Sequence, residues 1–443
     1  MKIVRIDLWH VALPLPAPFR PSWIPGMVQM ENRFDLIRLT TSDGVEGWSA
    51  APAMARERGG WGGLLGSYVL GERADDLGNI RQRIREMGYL GYKAGWIEPA
   101  CWDIVGKARG KAVAELLREM EGGVLGADER VVDLYASTGE VKSGSERVAE
   151  VQARMEEGFK AVKLRVHAPT LEEDIEQIET TRKGVGDDVV LGVDANMGWR
   201  VSAVAESPRW DFARVLAFCR AAQEAGFRWV EEPLPMDAFD DMVRLRSEVD
   251  IAIAGGELNN QGLPEFRVMA ERGCYDWYQP DAVMVGGIGE TWAIANLVEA
   301  AGATYSPHTW TNGIGFAINL QVFIGRVKRA GKFLEYPLNP PGWTPAGRDG
   351  ILEQPFVHEG GQLRLADAPG LGFSINRWIL ARFGRRFYTA TPTRVAFRTV
   401  LDRGITQAKH LGATRGARLA ERTQELSKME QAGIDPMQEG LPK

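Results

Sequence analysis

Three acidic residues stand at the ends of three consecutive short apolar runs, and this pattern restricts the fold more than any other feature of the chain. They are Asp194 in VVLGVDAN, Glu231 in FRWVEEP and Glu257 in IAIAGGEL, separated by 37 and 26 residues. Each interval is long enough for one strand, one helix and two loops. A buried carboxylate is costly unless a cation neutralises it. Three converging carboxylates therefore predict a hard divalent cation such as Mg²⁺, which prefers oxygen ligands.

From about Arg130 the sequence alternates between strand-like and helix-like segments. The candidate strands are VVDLYAS, KAVKLRVH, VVLGVDAN, FRWVEEP, IAIAGGEL, YDWYQPDAV, ATYSPH and KFLEY. Strands and helices alternating in this way predict an α/β protein with a (β/α)8-type barrel. The alternative is a doubly wound open sheet. The even spread of polar residues over the strand ends favours the barrel, because an open sheet concentrates its site near one switch point.

The remaining segments predict further structural units, since 443 residues exceed one ordinary core. Three antiparallel strands followed by helices predict an N-terminal α+β capping domain over residues 1–128, before a barrel over residues 129–340. The stretch PLNPPGW breaks the pattern, so we expect residues 341–385 to return to the capping domain. Residues 386–443, called the C-terminal extension below, are charged and helical in places. This extension either packs on another subunit or remains mobile, and we expect a homo-oligomer.

Composition excludes several classes of partner. A net charge of −6 argues against nucleic acid, which favours a basic surface. No apolar run approaches the roughly 20 residues that span a bilayer, and MKIVRIDLWH lacks the apolar centre of a signal peptide. Cys101, Cys219 and Cys274 are odd in number and scattered, which predicts no disulfide framework and a cytoplasmic protein. The five histidines are too few and too dispersed for a zinc cluster.

Polar residues follow one face of the segment KAVKLRVH. Because side chains alternate along a strand, Lys163, Arg165 and His167 share a face, which in a barrel meets the axis. The alternative is an edge strand with a solvated polar face. The next strand places Asp194 and Asn196 together on one face in the same way. The sequence therefore predicts cations and carboxylates facing each other near the barrel mouth.

An Asp and a His end two later strands, in YQPD and YSPH. Asp281 and His308 lie 27 residues apart, which is one β-α unit. On neighbouring strands the carboxylate would orient the imidazole and raise its basicity. Glu335, in KFLEY on the last strand, is predicted to be either a hydrogen-bond partner or acid in the site, or an exposed terminal charge.

Taken in order, these motifs resemble the enolase superfamily, mandelate racemase subgroup. The resemblance covers about residues 1–385 and rests on GFKAVKLRVH, GVDAN, WVEEPLP, GGE, QPDAVMVGGI, SPH and FLEY. It implies a modified TIM barrel with an N-terminal cap, and one Mg²⁺ per active site. The residues that fall on the superfamily's positions are Asp194, Glu231 and Glu257 as metal ligands, Lys163 and Arg165 as the Lys-x-Lys pair, Asp281 and His308 as the dyad, and Glu335 as the acid of the last strand.

The shared first step that this resemblance implies is removal of a proton next to a carboxylate. The chain departs from the pattern at Arg165, which replaces the second lysine. Arginine remains protonated at any working pH, so a two-base racemase is disfavoured. We expect His308 to take the α-proton and return it to the β-hydroxyl, which leaves as water. Lys163 is the alternative base, and His167 is expected to bind substrate or act as an additional acid.

The leading hypothesis is therefore the dehydration of an acid sugar, an aldonate or aldarate, to a 2-keto-3-deoxy acid. The alternatives are a cycloisomerase, epimerase or racemase acting on a small-molecule carboxylate, and a sugar-acid-binding protein that has lost catalysis. Specificity should reside in two loops of the cap and at the barrel mouth. The candidate substrate-binding residues there are Arg20, Trp23, Arg56, Trp61 and Trp310, together with His167 and Asn196.

Overall fold

The computed structural model describes residues 1–53, 61–326 and 332–437 of the chain. The strands are β1 Ile3–Phe19, β2 Gln29–Thr41, β3 Glu46–Pro52, β4 Val131–Ser137, β5 Ala161–Arg165, β6 Val190–Asp194, β7 Trp229–Glu231, β8 Ala252–Gly255, β9 Trp277–Tyr278, β10 Thr304–Tyr305, β11 Leu334–Pro337, β12 Gln362–Arg364 and β13 Gly384–Ala390. The helices are α1 Trp61–Val69, α2 Leu77–Tyr89, α3 Glu98–Arg109, α4 Val113–Met120, α5 Gly144–Glu156, α6 Leu171–Val185, α7 Phe212–Glu224, α8 Phe239–Glu248, α9 Leu263–Arg272, α10 Ala282–Val285, α11 Ile288–Ala300, α12 Gly313–Gly325, α13 Pro345–Asp349, α14 Arg377–Phe383, α15 Pro392–Arg403 and α16 Ile405–Gln431. Short 3-10 helices cover Gly95–Ile97 and Asp128–Arg130.

An antiparallel sheet forms the N-terminal part of the fold, with the strand order β13-β1-β2-β3. The turn between β2 and β3 contains Gly44 at φ +83°, a conformation that glycine adopts without steric cost. Helix α3 packs so closely on β3 that a Cβ on Gly47 would lie 2.0 Å from the carbonyl oxygen of Ala100. β1 continues to Phe19. The aromatic- and proline-rich loop between the first two strands is therefore shorter than the sequence suggests.

A parallel sheet forms the centre of the molecule, and its strand order is β10-β9-β8-β7-β6-β5-β4-β11. Arg165 pairs in register with Asp194, and Asp194 with Glu231, so the carboxyl ends of three strands are level. Strands β10 and β11 lie at the two ends of the order. The backbone N–H of Thr309, after β10, donates to the Glu335 carboxylate on β11 at 2.6 Å. The predicted α/β fold, a TIM-type barrel with an N-terminal cap, is confirmed.

The interior of the barrel below the strand ends is filled by aromatic and small side chains. Tyr135, Ala161, Trp229 and Ala254 form a buried cluster, separate from the main core. A Cβ on Gly192 would lie 2.1 Å from the Trp229 indole, so only glycine leaves room for that ring. This layer forms a floor, above which the inward side chains are charged. The opposite faces of the strands, such as Leu164, join the main core beneath the helices.

Helix α6 of the barrel begins with a reciprocal pair of hydrogen bonds between side chains and the backbone. At α6 the Thr170 hydroxyl accepts from the Glu173 N–H at 3.2 Å, and the Glu173 carboxylate accepts from the Thr170 N–H at 3.0 Å. This reciprocal pair satisfies two N–H groups that a helix start leaves without an intrahelical partner. Among the described residues, no helix combines the length and apolar character needed to cross a membrane.

The segment after the barrel contacts both sheets. β12 pairs antiparallel with β4, the first strand of the parallel sheet, whereas β13 pairs antiparallel with β1. Between them, the Asn32 side chain on β2 donates to the carbonyl of Gly347 in α13 at 3.2 Å. The division of the chain at residues 128, 340 and 385 remains a prediction.

The contact between Gly192 and Trp229 generates a test of the barrel floor. We expect Gly192→Ala to lower the free energy of unfolding by about 1–3 kcal/mol, because the added methyl overpacks a closed interior. Urea unfolding followed by circular dichroism measures the change. Gly88→Ala on α2 is the matched control, since a Cβ there meets no atom within 4 Å. Equal stability of the two variants would contradict the packing described.

Candidate active site

The three acidic residues of the apolar runs converge at the carboxyl ends of neighbouring strands. Asp194 ends β6, Glu231 ends β7, and Glu257 follows β8. Their exposed fractions are 0%, 1% and 5%. Consecutive parallel strands place their last residues at one edge, which is where barrel enzymes carry their sites. The predicted convergence of these carboxylates is therefore present in the structure.

Lys163 is fully buried among these carboxylates. Its ammonium group contacts Glu231 closely, lies 2.8 Å from the Glu335 carboxylate and 3.6 Å from that of Asp194. Burial alone would lower the pKa of Lys163, but the charges of Glu231 and Glu335 outweigh it and hold the pKa above its usual range. In this arrangement Lys163 is therefore a positive charge and offers no free electron pair for proton abstraction.

Arg165 is held from three sides. Its guanidinium contacts the Asp194 carboxylate closely and donates from Nε to the carbonyl of Thr138 at 2.7 Å. The guanidinium carbon lies 5.3 Å from the Trp23 ring centroid and 5.6 Å from that of Trp310, within the range of cation–π attraction. A planar guanidinium suits this combination of stacking and hydrogen bonding. Arg165 thus occupies a fixed position beside the carboxylates.

Asp281 and His308 form the predicted pair. Nδ1 of His308 lies 2.9 Å from the Asp281 carboxylate, which also accepts from the Asn319 side chain at 2.9 Å. Because an aspartate can only accept, Nδ1 carries the proton of this bond. Nε2 lies 3.1 Å from the Glu257 carboxylate. Burial lowers the pKa of His308, but Glu257, Glu335 and Asp281 together raise it to about 10.

Glu335 is buried in the site and is not an exposed charge at the end of its strand. Its carboxylate accepts from the Ser137 hydroxyl at 2.8 Å as well as from Lys163 and the Thr309 N–H. Burial would raise the pKa of Glu335, but Lys163 and His308 outweigh it and lower the pKa to about 2. A carboxylate in this state orients Lys163 and has no proton to give at neutral pH.

Glu232, which adjoins Glu231 and was expected to pair with a nearby cation, is a further buried acid of the site. Its side chain is 2% exposed, and its Oε2 has no hydrogen-bond partner. Burial raises the pKa of Glu232 well above its usual range, and the charge of Glu257 raises it further. The residue has a left-handed φ of +45°, as Asn196 does at +47°, a conformation that costs free energy for a non-glycine residue. Among the described residues Glu232 makes no salt bridge.

The structure brings three of the predicted substrate-binding residues together, whereas a fourth, Arg20, lies at the surface. Asn196 accepts from the Ser22 hydroxyl at 2.6 Å, and Trp23 and Trp310 pack with their ring centroids 5.0 Å apart. These three residues lie together at the barrel mouth. Arg20 is exposed, and its backbone N–H donates to Glu140 at 2.7 Å.

Of the other three predicted substrate-binding residues, His167 is the one whose side chain the structure describes. β5 ends at Arg165, earlier than predicted, and the backbone N–H of His167 turns to the Asp174 carboxylate at 2.9 Å. The Nε2 of His167 is buried without a hydrogen-bond partner. Arg56 lies outside the described residues. Trp61 is the first residue of α1, and its side chain is also outside what the structure describes.

Several functional contacts come from residues that the sequence did not single out. The Gln279 side chain donates to Glu231 at 2.7 Å, and the Trp199 indole donates to Glu257 at 2.7 Å. Ser22 reaches the site from the loop after β1, where its backbone N–H also donates to the carbonyl of Gly139 at 2.9 Å. No local sequence signal identifies these residues, because each contact joins segments far apart in the chain.

The carboxylate oxygens are a suitable donor set for a hard divalent cation, although each already accepts a hydrogen bond or salt bridge. Asp194 is held by Arg165 and the Asn196 N–H, Glu231 by Lys163 and Gln279, and Glu257 by Trp199 and His308. Within the described ranges, no three His, Cys, Asp or Glu side chains stand in an arrangement ready to hold a metal ion. Burial, together with the charges of Glu231 and Glu257, raises the pKa of Asp194 to about 7 despite Arg165 and Lys163.

Several known enzymes are similar to this chain in sequence. The chain is 28% identical over 406 residues to D-galactarolactone cycloisomerase from Agrobacterium fabrum, covering 86% of this chain and 99% of that protein. It is 29% identical to arabinonate dehydratase from Saccharolobus solfataricus, over 65% of this chain and 70% of that one. N-succinyl-L-Arg/Lys racemase from Bacillus cereus is 25% identical, over 85% and 96%. Relatives at this level of identity thus include dehydratases, cycloisomerases and racemases.

A solved structure shares the fold at lower identity. L-talarate dehydratase from a Polaromonas species, complexed with Mg and L-glucarate, matches with a TM-score of 0.72 and 22% identity. The match covers 88% of this chain and 99% of that chain.

Two family matches cover most of the chain. Residues 10–118 match the N-terminal domain of the mandelate racemase / muconate lactonizing enzyme family. Residues 146–379 match the enolase C-terminal domain-like family. Together with the carboxylates at three successive strand ends, these matches show that the chain belongs to the mandelate racemase / muconate lactonizing enzyme family of the enolase superfamily.

Proposed function

We propose that this protein is a Mg²⁺-dependent lyase that removes the proton α to a carboxylate and dehydrates an acid sugar to a 2-keto-3-deoxy acid. The observation that carries the proposal is the fixed position of Arg165 against the paired rings of Trp23 and Trp310, on the strand position where the family places a second base. A guanidinium does not accept a proton at working pH. The opposite wall of the site holds the His308–Asp281 pair, so proton transfer is assigned to one side.

Asp194, Glu231 and Glu257 are the residues that would hold the metal. The charges of the site support this assignment. Its buried acidic side chains are Asp194, Glu231, Glu232, Glu257, Asp281 and Glu335, and its buried basic side chains are Lys163, Arg165 and His308. With Glu232 protonated, the remaining five acids exceed the bases by two charges when His308 is protonated and by three when it is neutral, so a divalent cation would offset most of this excess in either state. When bound, such a cation stabilises the negative charge that develops on the substrate carboxylate.

His308 is assigned the proton transfer. Its Nε2 accepts the α-proton while Nδ1–H remains bonded to Asp281. The electron pair of the broken C–H bond moves into the substrate carboxylate as an ene-diolate. Nε2 then donates the same proton to the β-hydroxyl, the C–O bond breaks, and water leaves. The resulting enol tautomerises to the 2-keto acid, so the product is the substrate less one water.

The His308 pKa of about 10 describes the site with Glu257 unneutralised. Burial lowers this pKa, and the charge of Glu257 is the largest contribution that raises it. Positive charge at Glu257 would therefore favour the neutral imidazole that a base requires. Lys163 contacts three carboxylates and is assigned to hold the substrate carboxylate as a cation.

A cycloisomerase is the second candidate. The cycloisomerase from Agrobacterium fabrum is 28% identical and covered over 99% of its length, more fully than the arabinonate dehydratase. An epimerase or racemase is less well supported, because Arg165 cannot act as a second base. A binding protein that has lost catalysis is opposed by the intact His308–Asp281 pair.

The reaction class is tested by product analysis on a panel of aldonates, aldarates and their lactones with Mg²⁺. We expect at least one acid sugar to lose one water and give a product that semicarbazide traps as a semicarbazone. Mass spectrometry separates the candidates, since an epimer or cycloisomer keeps the mass of the substrate. Turnover of a lactone without water loss would assign the cycloisomerase reaction instead.

The base is tested by His308→Ala. We expect kcat to fall by roughly 10²–10⁴-fold, the usual contribution of a positioned acid–base group, while Mg²⁺ affinity is retained. His10→Ala is the matched control. It removes a second His–Asp pair, in which Nδ1 lies 2.9 Å from Asp35 in the cap and far from the site in the fold. Full activity of His308→Ala on the substrate identified above would overturn the assignment.

The metal ligands are tested by Asp194→Asn. We expect Mg²⁺ affinity, measured by isothermal titration calorimetry, to fall at least about tenfold, which corresponds to roughly 1.4 kcal/mol. The control is Glu206→Gln, which removes a carboxylate that is 79% exposed in the loop after the same strand. If both variants bind Mg²⁺ as the unmodified protein does, Asp194 is not a ligand.

A further inference from the structure

The C-terminal extension is additional to the family fold. The two family matches end at residues 118 and 379, before α15 and α16 begin. The Agrobacterium relative is covered over 99% of its length by 86% of this chain, so an enzyme of this family is complete without so long an extension. The barrel and the cap therefore do not require these two helices for their own fold.

One face of α16 is fixed to the cap by a row of arginines. Arg415 donates to the carbonyl of Leu70, Arg418 bonds Glu72 at 2.6 Å, and Arg422 forms two bonds to Asp76 at 2.8 and 2.9 Å. The spacing places all three on one side of the helix. Glu72 and Asp76 are each only 1% exposed, whereas their arginine partners are about one-third exposed, so the ion pairs are half-buried and tie the extension to the cap.

The outer face of α15 carries large apolar side chains that are mostly exposed to solvent. Phe397 and Leu401 are each 65% exposed, and Ile405, at the start of α16, is 61% exposed. Phe397 and Leu401, four residues apart, lie on one side of α15, and Ile405 follows directly after this helix ends at Gly404. In the described part of the chain no residue of α15 is buried. We call Phe397, Leu401 and Ile405 the apolar stripe. A contiguous exposed patch of this kind marks an interaction surface.

The charges beside the apolar stripe indicate what covers it. Arg398 and Asp402 lie 2.9 Å apart on the flank of the stripe, with side chains 73% and 52% exposed. When two copies of α15 pack antiparallel about a two-fold axis, Arg398 of one copy faces Asp402 of the other, and both charges are matched twice. Leu401 then packs near the axis, with Phe397 one turn away on α15. A surface whose charges are complementary to themselves is what a two-fold contact requires.

From these observations we infer that the apolar stripe of α15 is the contact surface for a second copy of this chain. The arginine row fixes α16, and through it α15, in the position that presents the stripe. A flank with one positive and one negative charge offers no net charge to attract a membrane surface or a nucleic acid. The inference is independent of the reaction that the barrel catalyses.

Leu401→Glu tests the contact in the full-length protein by sedimentation velocity and light scattering at micromolar concentration. We expect the weight-average mass to fall to half the value of the unmodified protein, with the circular dichroism spectrum retained. The control is Val124→Glu, which places the same charge on a residue that is 85% exposed elsewhere. A monomeric unmodified protein, or an unchanged mass for Leu401→Glu, would overturn the inference.

A charge exchange tests the antiparallel arrangement and does not depend on the apolar residues. Arg398→Asp alone and Asp402→Arg alone each place like charges opposite one another across the two-fold axis. We expect each variant to associate at least about tenfold more weakly than the unmodified protein. Mixing the two variants restores opposite charges at both positions and should restore association. A mixture that associates no better than either variant alone contradicts the two-fold packing.

Discussion

The buried contact of Lys163 and Arg165 with the carboxylates of Asp194, Glu231 and Glu335 is the interaction on which the rest of the site depends. Removing two cations and three carboxylates from water costs several kcal/mol for each ion, and only close pairing in a fixed geometry offsets that cost. Strand register supplies this geometry, since Arg165, Asp194 and Glu231 are successive partners across β5, β6 and β7. The barrel strands therefore hold these cations and carboxylates in fixed positions where opposite charges are paired.

The same arrangement explains the contribution of the cap. The loop after β1 places Trp23 on the guanidinium of Arg165 and Ser22 on Asn196, so the cap covers one side of the charged cluster. Excluding water from this side strengthens every electrostatic contact within the site. A carboxylate substrate that enters would meet cations on one wall and the imidazole of His308 on the other. In the proposed reaction, the cap would contribute both to substrate recognition and to the electrostatic environment in which the proton moves.

Much of the barrel and its charged residues could be predicted from the sequence, because each depends on local pattern. Period-two alternation identified the strands, and the acids at their ends followed from chain spacing. The Asp281–His308 pair was predicted for the same reason and lies at 2.9 Å. The predicted strand through His167 ended early, because the Asp174 carboxylate binds the backbone N–H of His167 and turns the chain away.

Contacts between distant segments were not predictable in this way. Ser22 and Asn196 are 174 residues apart, and Asn319 reaches Asp281 from the middle of a buried, largely apolar helix. The state of Glu232 also depends on the packed structure, since its neighbours Glu257 and Asp194 lie on other strands. Hydrogen bonds that cross the barrel are set by tertiary packing, and a single sequence contains no periodic signal for them.

We propose that the excess negative charge at the barrel mouth is a site for one divalent cation. The most direct measurement is an anomalous difference map from a crystal soaked in Mn²⁺, which takes the same oxygen ligands as Mg²⁺. We expect one strong peak bounded by Asp194, Glu231 and Glu257, with the contacts from Arg165 and Lys163 to these carboxylates lengthened. A map with no peak there at saturating Mn²⁺, and with both cations still bound to the carboxylates, would contradict it.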